Sequence, residues 1–221
     1  MNKENNSSRK EFAKSQFKSG LEFQKKGKYA EAEQAYKSIQ REDGKLLFAQ
    51  SRLNLALLLE EQKKYPEAEL AYQEIQREDD KEVFAKSRVN LGLLFKSQEK
   101  YLEAQQAYQE IQREDDKEVF AKSRVNLGLL FKSQEKYLEA QQAYQEIQRE
   151  DDKEVFAKSR VNLGLLFESQ EKYLEAQQAY QEIQREDDKE VFAKSRVNLG
   201  LLFESQEKYL EAQQAYQEIQ R

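Results

Sequence analysis

The chain has 221 residues, 36% charged and 38% hydrophobic, with a formal net charge of −5 and no cysteine, histidine or tryptophan. Those absences exclude a disulfide framework, a thiolate nucleophile, a cysteine zinc site, a Ser–His or Cys–His relay and an imidazole ligand. The acidic balance argues against a nucleic-acid partner, which needs clustered excess lysine and arginine, and no run of about 18 apolar residues exists to span a membrane.

In chain order, the opening residues MNKENNSSRKEF are polar and lack the apolar stretch of a signal peptide, so a cytoplasmic address is expected. Residues 1–5 read as a polar tail. The block from Glu78 to Arg113 then dominates the reading. It recurs unchanged from Glu114 to Arg149, and twice more, from Glu150 to Arg185 and Glu186 to Arg221, with one substitution: Lys96 and Lys132 become Glu168 and Glu204. Stepping back by the same period of 36 residues yields a diverged copy, 42–77, and a more diverged one, 6–41. Four near-identical copies mean recent amplification or design, so positions shared with the first two copies carry the most information. A low apolar content, one proline (Pro66) and an excess of Glu, Lys, Gln, Ala and Leu fit stacked helical repeats, each burying one face against its neighbours.

Within a copy, Phe84, Leu91, Leu94 and Phe95 fall at helical spacing and predict a first helix from Lys81 to about Gln98. In the next copy Asp115 is expected to cap it, with Glu118 bonding back. A break follows around Ser97–Lys100, where the first copy has Gly27. A second helix runs from about Tyr101 to Arg113, with Tyr101, Ala104, Ala107, Tyr108 and Ile111 on one stripe. The short connection makes the two antiparallel. Gly20, Ala56, Gly92, Gly128, Gly164 and Gly200 form one column in the first helices. Each glycine costs about 1 kcal/mol of helix propensity, which close approach of the facing helix would offset. Alanines 32 through 212 and tyrosines 29 through 209 and 36 through 216 are the facing candidates.

Asn90-Leu91-Gly92, followed by Lys100-Tyr101-Leu102-Glu103-Ala104 and Ala107-Tyr108, resembles the tetratricopeptide repeat (TPR) family, as does Gly27-Lys28-Tyr29-Ala30-Glu31-Ala32. The resemblance covers about 6–221. It implies an all-α fold, a right-handed α-solenoid of six antiparallel helix-turn-helix repeats at 6–41, 42–77, 78–113, 114–149, 150–185 and 186–221. Three departures stand out. The repeat is two residues longer than usual, which falls in the turn around Glu114–Lys117, the usual turn proline is missing, and Arg88 stands where a large aromatic is common.

The resemblance also implies a non-enzymatic protein-interaction module without cofactor or metal, whose first helices line a concave groove for extended peptide segments. Carried over, Asn54, Asn90, Asn126, Asn162 and Asn198 form a ladder whose amides can pair with any peptide backbone. Lys86, Lys122, Lys158 and Lys194 stand beside it to attract acidic side chains or a C-terminal carboxylate. The first copy has Lys18 in the ladder position. A solvated, idle asparagine column is the competing reading. The alternative function is a self-associating scaffold or spacer, assembled end to end through the last helix, which would expose Tyr209, Tyr216 and Ile219. The Lys96/Lys132 against Glu168/Glu204 difference reads either as a charge gradient along a rim or as drift fixed by duplication. The paired aspartates read as caps, because they lack the spacing and glycine of a calcium loop.

Overall fold

The computed structural model describes residues 3–220 and is all helix and turn among them. Six hairpins of one long and one short helix follow one another: α1 Lys3–Lys25 with α2 Tyr29–Lys37, α3 Lys45–Glu61 with α4 Tyr65–Gln73, α5 Lys81–Ser97 with α6 Tyr101–Gln109, α7 Lys117–Ser133 with α8 Tyr137–Gln145, α9 Lys153–Glu168 with α10 Tyr173–Gln181, and α11 Lys189–Ser205 with α12 Tyr209–Glu218. Of the expected tail, residues 1 and 2 lie outside the described residues, and residues 3–5 open α1. The chain forms two compact units, Met1–Asp116 and Lys117–Arg221, each holding three hairpins.

The turn inside each hairpin depends on one left-handed residue. Gly27 supplies it in the first repeat with φ 71°, whereas Lys63, Glu99, Glu135, Glu171 and Glu207 adopt it at 58–61° despite a side chain. The helices close tightly because the glycine column faces the buried tyrosines. A Cβ on Gly128 would lie 2.4 Å from Tyr144 Cε1, and one on Gly92 would meet Tyr108 at the same distance. Tyr36, Tyr72, Tyr108, Tyr144 and Tyr180 are fully buried. The other tyrosine column departs from expectation: Tyr65, Tyr101, Tyr137 and Tyr173 are 38–43% exposed at the start of their helices.

The paired aspartates divide the work differently from the sequence reading. The second one caps the following helix: Asp80 Oδ1 accepts from Val83 N at 2.9 Å, and Asp152 and Asp188 do the same for Val155 and Val191 at 2.8 Å. The first closes the preceding turn, Asp115 Oδ2 accepting from Gln112 N at 2.9 Å. Glu118 does not bond back; it pairs with Lys122 one turn on.

Arg88 and its counterparts tie one repeat to the next. Buried Arg88 donates from Nη1 to Tyr72 O and from Nη2 to Ile75 O, both at 3.0 Å, and from Nε to Glu110 Oε2 at 2.6 Å. Arg41 Nη2 reaches Glu74 O at 2.6 Å from the other neighbour. The last carbonyls of α4, which no further helical turn could satisfy, are thus taken by two guanidinium groups. That is why the short helices stop near Gln109 rather than running on to Arg113. Both Arg77 and Arg88 lie over the Phe84 ring, 4.9 and 4.5 Å from its centroid. The second unit repeats the joint with Arg160 on Tyr144 O and Ile147 O, and Arg196 on Tyr180 O and Ile183 O. Apolar clusters sit beside joints within each unit, such as Ala49, Ile75, Val83 and Phe84 in the first and Ala157, Val161, Ile183, Val191 and Phe192 in the second.

Within each unit, consecutive long helices touch (α1 with α3 and α3 with α5; α7 with α9 and α9 with α11), whereas consecutive short helices do not. Each unit therefore curves with its long helices on the inner side.

Candidate functional site

The inner faces carry the residues singled out from the sequence. In the first unit Asn54 and Asn90 sit half-buried on α3 and α5, with Lys86 exposed beside Asn90. In the second, Asn126, Asn162 and Asn198 are half-buried on α7, α9 and α11, and Lys122, Lys158 and Lys194 are exposed. Leucines join them on the same helices: Leu93 is 44% exposed, Leu129 39%, Leu165 37% and Leu201 54%.

In the second unit three of these residues, Asn162, Lys158 and Lys194, line a cleft of about 430 Å³ together with Val125, Val161, Val191, Glu154, Glu190 and Asp188. Three valines give it an apolar floor, and Asn162 gives an amide able to donate or accept. Its charges nearly cancel, three carboxylates standing against two ammonium groups. Lys158 is moreover paired with Glu154, whose carboxylate holds the ammonium above its ordinary pKa. Lys86 and Lys122 are paired in the same way with Glu82 and Glu118. These lysines therefore spend much of their charge within their own helix.

Two of the asparagines have buried phenols as inward neighbours, which the sequence reading missed. Asn90 stands beside the Tyr72 hydroxyl and Asn198 beside that of Tyr180, where the buried Asn198 Nδ2 has no hydrogen-bond partner. Each of those hydroxyls in turn donates to the residue twelve positions before it, Tyr72 to Glu60 and Tyr180 to Glu168, while Tyr36 donates to Gln24 at 3.0 Å. The position where the late copies differ is thus the hydroxyl's acceptor. Lysine at 132 offers only donors, and the buried Tyr144 hydroxyl has no hydrogen-bond partner. Burial, reinforced by the glutamates beside Tyr72 and Tyr180, pushes the pKa of these phenols up. The spacing of twelve, which a turn of three or four residues between antiparallel helices brings face to face, was the available signal.

The outer face of the second unit is different in kind. A smaller cleft of about 280 Å³ opens between α8 and α10, with Gln141, Gln145 and Gln178 around a floor that includes Leu163 and Phe167. Beside it Leu138 and Leu174 are 68% and 63% exposed. On α12, Tyr209 is 67% exposed, and Tyr216 and Ile219 are half-buried. Among the described residues no helix is long and apolar enough to cross a membrane, and no group of three or more His, Cys, Asp or Glu could hold a metal ion.

A sequence model of the tetratricopeptide repeat family matches residues 17–83, 89–155 and 161–221, nearly the whole chain. A search of curated proteins found no match to the sequence. Solved structures share the fold at low identity. Pseudomonas aeruginosa pilF is 19% identical over 96% of this chain and 98% of that one, with a TM-score of 0.61. A tetratricopeptide repeat protein from Parabacteroides merdae is 18% identical over 95% and 79%, at 0.59. YrrB, a TPR protein with an unusual peptide-binding site, is 19% identical over 76% and 82%, at 0.50.

Proposed function

This chain belongs to the tetratricopeptide repeat family, and we propose that it is a non-enzymatic interaction module that holds extended segments of partner proteins against its long helices. Repeats of this family are generally protein-interaction modules, and one protein of the same fold is known for a peptide-binding site. The observation that carries the reading is the inner cleft of the second unit, where a valine floor and the Asn162 amide stand together. An extended segment would lay apolar side chains on Val125, Val161 and Val191 and pair its backbone with asparagine. The near-cancelling charges favour a segment chosen for apolar side chains over one chosen for acidity.

The test is a peptide-array screen of the chain against Asn162→Ala and Lys194→Glu, with circular dichroism establishing equal helicity. Loss of the bound peptides with Asn162→Ala supports the reading; identical binding profiles for all three proteins contradict it. A second reading, association of copies through the outer face, draws on the exposed Leu138 and Leu174. It predicts a concentration-dependent mass that Leu138→Lys with Leu174→Lys abolishes, and a constant monomer mass contradicts it.

A further inference from the structure

We infer that the segment held by the inner face is a polyproline-II stretch with an apolar side chain at every third residue, one for each long helix it crosses. The inference rests on the peptide-binding reading above and names the conformation and side-chain pattern that this face selects.

One column of leucines carries it. Leu21, Leu57, Leu93, Leu129, Leu165 and Leu201 recur at the 36-residue period through all six repeats, the two diverged copies included. Every one of them is exposed, from 37% at Leu165 to 54% at Leu201. The neighbouring column behaves in the opposite way. Leu58, Leu94, Leu130, Leu166 and Leu202 are at most 3% exposed, and the first repeat, where that position is exposed, has Glu22 instead. Leucine is given up where burial does not require it, yet kept at the exposed position beside it in the same repeat. An apolar column held in solvent is the mark of an interaction surface. In the second unit Leu165 lies three residues after Asn162 and Lys158 four before it, so all three share one face of α9. The leucines thus extend the inner face one helical turn along from the asparagines.

The pitch of the column decides which backbone can follow it. Consecutive long helices within a unit touch, and packed helices stand about 8–10 Å apart. Curvature toward the inner side draws the leucine tips no farther apart than the helix axes. A β-strand presents one face every two residues, about 6.6 Å, or every four, about 13 Å, and misses this pitch both ways. An α-helix needs seven residues, about 10.5 Å, and its backbone groups bond one another, which leaves Asn162 nothing to pair with. Polyproline II returns to the same face every three residues, about 9.3 Å, and makes no internal hydrogen bonds. Even proline keeps a carbonyl to which the Asn162 amide can donate. Apolar residues at i, i+3 and i+6 then meet Leu129, Leu165 and Leu201 in turn. The near-cancelling charges of the cleft, three carboxylates against two ammonium groups, suit such an uncharged stretch.

The test uses the full chain and capped, uncharged peptides of one length and composition, proline and serine with three leucines spaced two, three or four residues apart. Fluorescence anisotropy should show the three-residue spacing binding about tenfold or more tightly than either other, since a mismatch unseats at least one leucine. Leu165→Ser with Leu201→Ser should erase that preference while circular dichroism stays unchanged. Equal affinity across the series, a preference for two or four, or a preference that survives the double substitution overturns the inference. So does failure of the whole series to bind when array-selected peptides still bind and need Asn162, an outcome that leaves the peptide-binding reading standing. An array without ligands removes that reading and this inference with it.

Discussion

Replacing Arg160 with methionine should loosen the joint between the fourth and fifth repeats without disturbing the hairpins themselves. Its guanidinium donates to Tyr144 O at 2.9 Å and Ile147 O at 3.2 Å, lies 4.4 Å from the Phe156 centroid, and pairs with Glu182 at 2.5 Å. Hydrogen bonds from a charged donor contribute about 1.5–3 kcal/mol each, and stacking on the ring adds about 0.5–1 kcal/mol. Removing a buried charge returns part of this, because its desolvation no longer opposes folding. Glu182 is 51% exposed and simply regains water, so its share is small. The net cost is roughly 3 kcal/mol, and lysine in the same place should cost nearly as much, since it keeps the charge but not the fork. Repeat arrays do not melt as one unit, so the assay is residue-resolved native-state hydrogen exchange. Protection in α8 and α9 should fall by about a hundredfold. A change below about 1 kcal/mol in both helices would refute the assignment of Arg160 as the tie.

Gly128→Leu should destabilise by roughly 1–3 kcal/mol through collision with Tyr144, whereas Gly128→Ala should stay within about 1 kcal/mol. The second repeat already pairs a buried Ala56 with a fully buried Tyr72; urea titration distinguishes the two. Glu171→Gly should stabilise by about 1 kcal/mol, because φ 58° is a left-handed backbone that glycine adopts without strain; a lowered thermal midpoint would contradict this. The buried phenols have raised pKa values, Tyr36 pushed up to about 12 by burial. A raised folded pKa contributes stability that is complete below pH 10, the unfolded value, and is lost as pH rises through the folded one. Stability should therefore fall above pH 10 by about 1.4 kcal/mol per pH unit for each buried tyrosine. Tyrosinate absorbance of this set should appear together with loss of helix; tyrosinate formation in a still fully helical chain would contradict it.

The fold was open to reading because repetition amplifies weak signals. The period located the hairpins, and the glycine column located their contact. Two features hid because they depend on which side chains the packing of helices brings together, between repeats for the arginine and within one hairpin for the Lys/Glu position. Arg88 reads as a charged residue in an apolar column until the carbonyls of Tyr72 and Ile75 come into view. The Lys/Glu position reads as rim charge until the antiparallel register brings it to the phenol twelve residues on. Capping fell to the second aspartate because the first is held by the turn before it. The inner face was legible as a column of asparagines. Its placement beside the buried tyrosines was not, since each of those lies in the preceding repeat.

The most direct test of the interaction account is to titrate an array-selected peptide into the isotopically labelled chain and follow side-chain resonances. The account predicts that the Asn162 amide and the Val125, Val161 and Val191 methyls shift first and farthest. Shifts concentrated instead on Gln141, Gln145 and Gln178 would place binding on the outer face and contradict it.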